Sequence, residues 1–401
     1  MIFPAGIAPE ARLLVLGRGL RAFVDGYVAV LLPAYLLALG FGTWEVGVLS
    51  SATLLGSALA TLAVGAWGHR FQQRSLLLAA GLLMVGTGLA FGGLSHFWPL
   101  LLVAFIGTLN PSSGDVSVFL PLEQARLADA AQGHARTTLF ARYSLIGTLC
   151  AAFGSLAAAL PDALAGPGIE RLAVMRGLFL LYAGAGLVVW LLYRKLPKPP
   201  PHQHAAPSEP LGVSRPIVLR LAALFSVDAF AGGMVVNSLL ALWLFQRFDL
   251  SLSAAGSFFF WAGLLTALSQ LAASWVARRI GLLNTMVFTH MPANVCLILA
   301  AFAPNLPLAL ALLLVRSALS QMDVPTRSAF VMAVVTAPER AAAASFTAVP
   351  RSLAAALSPS LGGALFAAGW LAAPLVACGV LKITYDIALF IAFRRHAAQK
   401  T

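Results

Sequence analysis

Apolar runs of about twenty residues recur along the whole chain, and they constrain its fold more than any other feature. A run of this length can cross the hydrocarbon core of a bilayer as an α-helix, which satisfies its own backbone N–H and C=O groups. The runs are rich in Leu and Ala without strict alternation, which favours helices over a β-barrel. Only 10% of the residues are charged, against about 25% in soluble proteins. The sequence therefore predicts an all-α polytopic membrane protein.

Glycines, prolines and charged residues separate twelve such runs. They predict twelve transmembrane helices, here called spans one to twelve, at residues 12–39, 45–67, 75–93, 98–122, 137–160, 174–194, 217–243, 252–277, 285–303, 307–334, 343–368 and 373–393. The first run continues past Pro33, so we expect it to stay in the membrane rather than to be cleaved as a signal peptide.

One segment between the runs has a different composition. Residues 194–216 are basic, rich in proline and poor in apolar residues, which is typical of an extended linker. The segment divides the chain into an N-terminal six-helix bundle at 1–193 and a C-terminal six-helix bundle at 217–401. We expect the linker to be cytoplasmic.

The distribution of basic residues predicts the orientation in the membrane. A net charge of +12 would suit a nucleic-acid binder, but the arginines and lysines lie mostly in the short segments between the apolar runs. Most of them fall on one side of the membrane, whereas the other side has only Arg171, Arg176 and Arg247. The positive-inside rule then places both termini in the cytoplasm. We expect a multi-pass protein of the inner (cytoplasmic) membrane that binds no nucleic acid.

The sequence contains no motif typical of an enzyme or of a cofactor site. The three cysteines, Cys150, Cys296 and Cys378, lie inside apolar runs, where small packing residues are expected. There is no Gly-Lys-Ser loop for ATP, no Ser/His/Asp arrangement and no HExxH motif. We therefore predict no catalytic residue, no metal, no cofactor and no enzymatic activity.

The two halves of the chain resemble each other at ionisable residues. These residues occur in the same order and at nearly constant separation in corresponding spans: Asp25 with Asp228, Asp115 with Asp323, and Arg142 with Arg351. Each half has an even number of spans, so both halves enter the membrane from the same side. This pattern predicts two bundles related by a pseudo-two-fold axis along the membrane normal.

The loop between spans two and three resembles that of a known family. The major facilitator superfamily has Gly-x-x-x-Asp-Arg-x-Gly-Arg-Arg there, and this chain keeps Gly65, Arg70 and Arg74 but has His69 in place of the aspartate. Span eleven carries Ser358-Pro359-Ser360-Leu361-Gly362-Gly363, which is similar to the Gly-Pro-x-x-Gly-Gly element that exporters of that family carry in span five. The resemblance covers almost the whole chain.

The resemblance implies a fold and a function. Two six-helix bundles would rock around a water-accessible cavity lined by spans one, four, seven and ten. The first expectation is a monomeric, proton-coupled exporter of a small organic solute, and uptake by proton symport is the alternative. A membrane sensor or enzyme without transport is a remote alternative, because the longest soluble stretch, 194–216, is too short to fold alone.

Asp25 and Asp228 are the predicted proton-coupling residues. Each lies near the middle of its span, with no base at matching depth in the neighbouring sequence. A charge there costs at least about 2.5 kcal/mol, so it should face water or a partner. If the two carboxylates face the implied cavity, they can bind and release a proton. Alternatively they are structural, held by backbone or neutralised by Arg18, Arg21 or Arg316.

Two Asp–Arg pairs are also predicted inside the membrane. Asp115 and Arg142 lie at similar depth on adjacent spans, and the repeat supplies Asp323 with Arg351. Such pairs either break and reform during transport or act as static bridges that fix helix register.

Further polar residues on spans four, seven and ten are predicted to contact the solute: Asn110, Ser113, Asn237, Arg316 and Gln321. Asn110-Pro111 and Pro325 should open the hydrogen-bond ladder of their helices. Near the cytoplasmic end of span four, Glu123 with Arg70 or Arg74 predicts either a gate or a solvated surface pair.

Overall fold

The computed structural model describes residues 9–112, 117–130, 133–197, 211–336 and 339–398. Within these ranges the chain forms sixteen α-helices: α1 (Pro9–Ala38), α2 (Thr43–Trp67), α3 (Gln73–Gly93), α4 (Phe97–Ile106), α5 (Phe119–Ala130), α6 (Gly133–Leu156), α7 (Leu160–Leu164), α8 (Arg171–Arg194), α9 (Arg215–Gly233), α10 (Asn237–Phe248), α11 (Leu252–Ile280), α12 (Leu282–Ala301), α13 (Leu306–Leu319), α14 (Asp323–Val334), α15 (Arg340–Ala367) and α16 (Ala373–Ala398).

Ten helical stretches in the described ranges are long and apolar enough to cross a membrane. They correspond to the predicted spans one to three, five to ten, and twelve. Span eleven is the 28-residue helix α15, and span four begins as the short apolar helix α4. The prediction of an all-α polytopic membrane protein with twelve spans is therefore confirmed.

Spans four, seven and ten are each broken into two helices. Span seven is interrupted between α9 and α10, and span ten between α13 and α14. In span four the chain leaves the helix after Ile106, and α5 begins at Phe119. Pro111 lies in the break of span four. Pro325 lies in the first turn of α14, where its missing N–H costs no hydrogen bond. The break in span seven was not predicted from the sequence.

Side chains from other helices satisfy the unwound backbone of span four. The Tyr182 hydroxyl on α8 donates to the Thr108 carbonyl at 2.9 Å, and the Thr108 N–H donates to the Thr87 hydroxyl on α3 at 3.3 Å. The Ser238 N–H, at the start of α10, donates to the Pro111 carbonyl at 3.0 Å. Polar backbone at membrane depth is thus bonded within the protein, as a bilayer requires.

The chain divides into two compact units. Unit 1 comprises 1–203 and 237–260, and unit 2 comprises 204–236 and 261–401. In unit 1, α1 packs against α6 and α8, and α3 packs against α8. In unit 2, α9 packs against α15 and α16, and α12 packs against α13 and α16. The helices α1 and α9 are therefore central in unit 1 and unit 2, respectively.

Glycines allow spans one and five to approach at backbone distance. A Cβ atom at Gly26 would lie 2.0 Å from the Ala151 carbonyl oxygen, and one at Gly154 would lie 1.8 Å from the Phe23 carbonyl oxygen. In unit 2, a Cβ at Gly233 on span seven would lie 2.4 Å from the Ala355 carbonyl oxygen on span eleven. Only glycine fits at these contacts.

Charged side chains hold both described ends of the linker. Arg126 on α5 donates from both terminal nitrogens to the Pro197 carbonyl at 3.1 Å and forms an ion pair with Glu10 at 3.0 Å. Glu339, just before α15, accepts from the backbone N–H groups of Gly212 at 2.9 Å and Ser214 at 3.0 Å. The Ser214 side chain and these N–H groups hold the pKa of Glu339 below its usual value. We call these two contacts the linker clamps.

Candidate functional site

Unit 1 contains a buried cluster around a single carboxylate. Glu123 on α5 is fully buried, and Arg21 on α1 binds both of its oxygens at 2.6 Å. The hydroxyls of Tyr143 on α6 and Tyr193 on α8 donate to the same carboxylate. One acid, one base and two phenols from four helices form this unit-1 cluster, and its formal charge is balanced.

Aromatic rings cover the cations of this region. The Arg21 guanidinium lies 4.1 Å from the centre of the Phe119 ring, and that of Arg18 lies 5.5 Å from the centre of the Tyr143 ring. Cation–π contacts of this kind are favourable where water is excluded. Asp25 is buried on the same helix, four residues after Arg21 and seven after Arg18, so the three residues share one face of α1.

Unit 2 contains a larger cluster around Asp228 on α9. Lys382 on α16 lies 2.5 Å from one carboxylate oxygen of Asp228, and Arg327 on α14 lies 3.1 Å from the other. Arg327 also binds Asp323, which precedes it by one helical turn. All four residues are buried, so the carboxylates and cations neutralise one another away from solvent.

A histidine joins this group to a third carboxylate. His290 on α12 places Nδ1 at 3.0 and 3.1 Å from the two oxygens of Asp386 on α16, and Asn294 donates to Asp386 at 3.4 Å. The other ring nitrogen, Nε2, lies 4.0 Å from Asp228. His290 therefore stands between two buried carboxylates. We call Asp228, Asp323, Arg327, His290, Lys382 and Asp386 the unit-2 cluster.

The sequence offers Arg18, Arg21 or Arg316 to neutralise the two predicted aspartates, but the structure pairs Asp228 with two other bases. Lys382 and Arg327 both contact Asp228, because α14 and α16 bring them to the depth of the middle of α9. Asp25, by contrast, shares one face of its own helix with Arg18 and Arg21. Proton coupling by either aspartate stays a prediction.

The predicted Asp–Arg pairs have different outcomes. Asp323 binds Arg327 rather than Arg351, because residues four apart on a helix lie on one face. Arg351 is exposed on α15. Asp115 lies outside the described residues, so its pairing with Arg142, which is half-buried on α6, stays a prediction.

The structure does not bring the predicted gate residues together. Within the described part of the chain, Glu123 binds Arg21 in the protein interior rather than Arg70 or Arg74. Arg74 donates instead to the carbonyl oxygen of Arg194 at 2.6 Å, and Arg70 is exposed. Glu123 is too deeply buried to be the solvated surface residue that was the alternative.

The predicted solute-contacting residues lie at or beside the helix breaks. Asn110 is buried in the break of span four and accepts from the Ser112 hydroxyl at 2.7 Å. Asn237 is the first residue of α10. Arg316 and Gln321 are half-buried around the break of span ten, and Ser113 lies outside the described residues. Broken helices at corresponding places in the two halves are typical of substrate sites in transporters.

His290, a member of the unit-2 cluster, is not among the residues predicted from the sequence. A signal was present, because Asp323–Arg327, His290–Asn294 and Lys382–Asp386 are each four residues apart. Two polar residues at this spacing on an apolar helix lie on one face and indicate a buried polar contact with another helix.

Comparison with known proteins identifies the family. The model of the Major Facilitator Superfamily matches residues 14–315, which is most of the chain. The chain belongs to the major facilitator superfamily. An uncharacterised membrane protein of Saccharomyces cerevisiae, YJR124C, is 24% identical over 410 residues, covering 93% of this chain and 92% of the yeast protein.

Solved structures of superfamily transporters share the fold. A D-xylose–proton symporter matches with a TM-score of 0.74 at 14% identity, over 95% of this chain and 96% of its own. The nucleoside transporter NupG, as a D323A mutant, matches with a TM-score of 0.73 at 15% identity, over 96% of this chain and all of its own. Two six-helix bundles of the superfamily fold are therefore the architecture of this chain, which is a multi-pass membrane transporter.

Proposed function

We propose that this transporter couples the movement of a small organic solute to the movement of protons, by alternating access. The observation that carries the proposal is the position of His290 between Asp386 and Asp228. Chains of buried histidines and carboxylates are a recurring form of proton relay in membrane transporters.

The chemistry of imidazole explains why this position suits a proton carrier. A neutral histidine has one N–H donor and one acceptor nitrogen, so it can donate to only one of the two carboxylates. A protonated histidine has two donors and can serve both. Gain or loss of one proton at His290 therefore changes its interaction with Asp228 or with Asp386.

That change reaches the rest of the cluster through Asp228. Lys382 and Arg327 already occupy its two oxygens, so a protonated His290 competes with Lys382 for the oxygen that both approach. The helices that carry these groups, α9, α12, α14 and α16, are parts of unit 2, and the exposed Arg351 on α15 adds a further positive charge. Protonation would thus weaken a contact between spans seven and twelve, as a coupling mechanism requires.

Asp25 is a second candidate for the proton carrier. It is buried near the middle of span one, which packs against spans five and six. Arg18 and Arg21 on the same face stabilise its charged form, while burial favours its neutral form. An acid balanced between these effects suits proton exchange.

For the direction of transport, we propose export. The proline and glycines at 358–363 in span eleven support it, because they resemble the element that exporters of the superfamily carry in span five, the corresponding span of the other half. Uptake by symport is the second candidate, and the likeness in fold to the D-xylose–proton symporter favours it. We also propose a cytoplasmic membrane location with both termini inside, on the strength of the asymmetric arginines and lysines.

Purified protein in liposomes that contain the pH dye pyranine tests proton coupling. External D-xylose, uridine and citrate serve as probes of three solute classes. Symport of a transported probe acidifies the lumen, and antiport makes it alkaline, so the sign also decides the direction. His290→Gln should abolish the dye signal while radiolabelled solute still equilibrates, and Asp25→Asn tests the second carrier.

The exposed His96 supplies a matched control, because His96→Gln changes the same chemistry outside the cluster. Its dye signal should equal that of the wild type. Solute flux without any proton movement in the wild type would overturn the proposal. An unchanged dye signal in His290→Gln would remove His290 from the mechanism.

A further inference from the structure

Unit 2 has more bases than acids inside its membrane spans. The acids are Asp228, Asp323 and Asp386, and the bases are Arg220, Arg316, Arg327, Arg351 and Lys382. The structure assigns a partner to every acid: Asp228 takes Lys382 and Arg327, Asp323 takes Arg327, and Asp386 takes His290. No acid of these spans is left to neutralise Arg316.

Arg316 differs from the paired bases in its surroundings. Within the described residues it makes no ion pair, whereas Arg327 and Lys382 each bind a carboxylate. The ionisable neighbour of its guanidinium is the thiol of Cys378 on α16, which is neutral when protonated. In the described part of unit 2, Arg220 and Arg351 also form no ion pair, but both are exposed, so solvent or headgroups can stabilise their charges.

The depth of Arg316 makes an unpaired charge costly. It is the eleventh residue of a span that runs from Leu306 to Val334, about 15 Å along the helix from its start. This is about half of a hydrocarbon core of roughly 30 Å. A charge at this depth is kept when it lines a substrate pathway or meets a partner of opposite charge.

The helix break beside Arg316 gives a ligand access to polar groups. The Arg316 carbonyl accepts the last helical bond of this region from Ser320 at 2.8 Å, and the chain then turns until α14 begins at Asp323. Arg316 is half-buried, so part of its side chain reaches accessible space. Gln321, also half-buried, adds an amide within the turn.

We infer that Arg316 binds an anionic group of the transported solute, so the substrates are small organic anions that carry a carboxylate or a phosphate. The planar guanidinium binds either group with two parallel hydrogen bonds. A bound anion also neutralises the buried positive charge that the acids of unit 2 leave at Arg316. This inference rests on the proposed transport function and adds the class of its substrate.

Matched pairs of anionic and neutral probes test the inference by thermal shift of the purified protein. We propose benzoate with benzamide, succinate with succinamide, and uridine monophosphate with uridine. At least one anion should raise the melting temperature, and its neutral partner should not. Arg316→Gln should bind that anion about tenfold more weakly or worse, as expected for loss of a charge-assisted bond.

Two further variants control for folding and for charge. Arg316→Lys keeps the positive charge and should retain part of the stabilisation. Arg247→Gln removes an exposed arginine at the end of α10 and should respond as the wild type does. Equal stabilisation by both members of every pair, or by none of the anions, overturns the inference, as does unchanged anion binding in Arg316→Gln.

The liposome experiment distinguishes this inference from the proposed function. Anion selectivity that depends on Arg316, with no proton movement, would overturn proton coupling and leave the substrate class intact. Proton-coupled flux of a neutral probe, equal in wild type and Arg316→Gln, would support proton coupling and overturn the inferred substrate class.

Discussion

The unit-1 and unit-2 clusters occupy related halves of the chain but differ in how their charges are shared. In unit 1, Glu123 has a single base, Arg21, and two tyrosines complete its hydrogen bonds. In unit 2, Asp228 has two bases, and a histidine connects it to a second carboxylate. The acid of the unit-1 cluster therefore has a single charged partner, whereas Asp228 in the unit-2 cluster has several. Two halves with a related fold thus neutralise their buried acids in different ways.

The largest effect should come from removing the base of the unit-1 cluster. Arg21→Met leaves Glu123 buried with only the hydroxyls of Tyr143 and Tyr193, so we expect a loss of about 3–5 kcal/mol in the free energy of unfolding. Denaturant titration of the purified protein measures it. The double variant Arg21→Met/Glu123→Gln should recover part of the loss, because it removes the uncompensated charge. A loss below about 1 kcal/mol for Arg21→Met would show that Glu123 does not depend on a single partner.

A smaller effect should follow from the matching change in unit 2. Lys382→Met leaves Asp228 bound to Arg327 and close to His290, so we expect a loss of about 1–3 kcal/mol in the same titration. Lys382→Arg is the conservative control and should restore most of the stability. If Lys382→Met cost more than Arg21→Met, the sharing of Asp228 between two bases would not be what distinguishes the clusters.

Much of the fold follows from hydropathy alone, because a bilayer leaves few alternatives to apolar helices of about twenty residues. The spans, their number and the superfamily were therefore accessible from the sequence. The partners of the buried charges were not, because they depend on which faces of distant helices meet. Asp228 and Lys382 are 154 residues apart, and nothing in their local sequence indicates that they touch.

The helix breaks, too, can be predicted only in part from the local sequence. Pro111 and Pro325 predict the breaks of spans four and ten, because proline has no N–H group to donate in a helix. The break of span seven, at 234–236, contains no proline, so its signal is weaker. Contacts of Ser238 explain where span seven breaks. Its N–H donates to the Pro111 carbonyl, and its hydroxyl lies 3.2 Å from that of Ser50. Tertiary contacts, rather than local propensity, stabilise that break.

The smallest expected effect is the pH dependence of one linker clamp, because the two clamps use different charged residues. The clamp in unit 1 is an arginine, whose charge does not change with pH, whereas the clamp in unit 2 is Glu339. Its folded pKa is lower than its usual 4.5, so its charged form stabilises the clamp above pH 4.5. That contribution is lost as the pH falls through the lowered value.

Hydrogen exchange of the Gly212 and Ser214 amides, corrected for intrinsic rates, measures this clamp. Protection in the wild type should be constant from neutral pH down to about 4.5 and then decrease. Glu339→Gln should exchange faster at neutral pH and lose the acid-dependent decrease, while global stability changes little. The exposed Glu170 gives the control Glu170→Gln, which should behave as the wild type. Equal protection in Glu339→Gln and wild type at pH 7 would contradict the clamp.

The glycine contacts between spans one and five have a mechanical consequence. Because Gly26 meets the backbone of span five and Gly154 meets that of span one, each helix blocks longitudinal sliding of the other. A shift of one residue, about 1.5 Å, would drive a side chain into a carbonyl group. We therefore expect spans one and five to move as one rigid body during transport. Any relative displacement inside unit 1 has to be absorbed elsewhere, and the non-helical residues 107–112 of span four are well placed to bend.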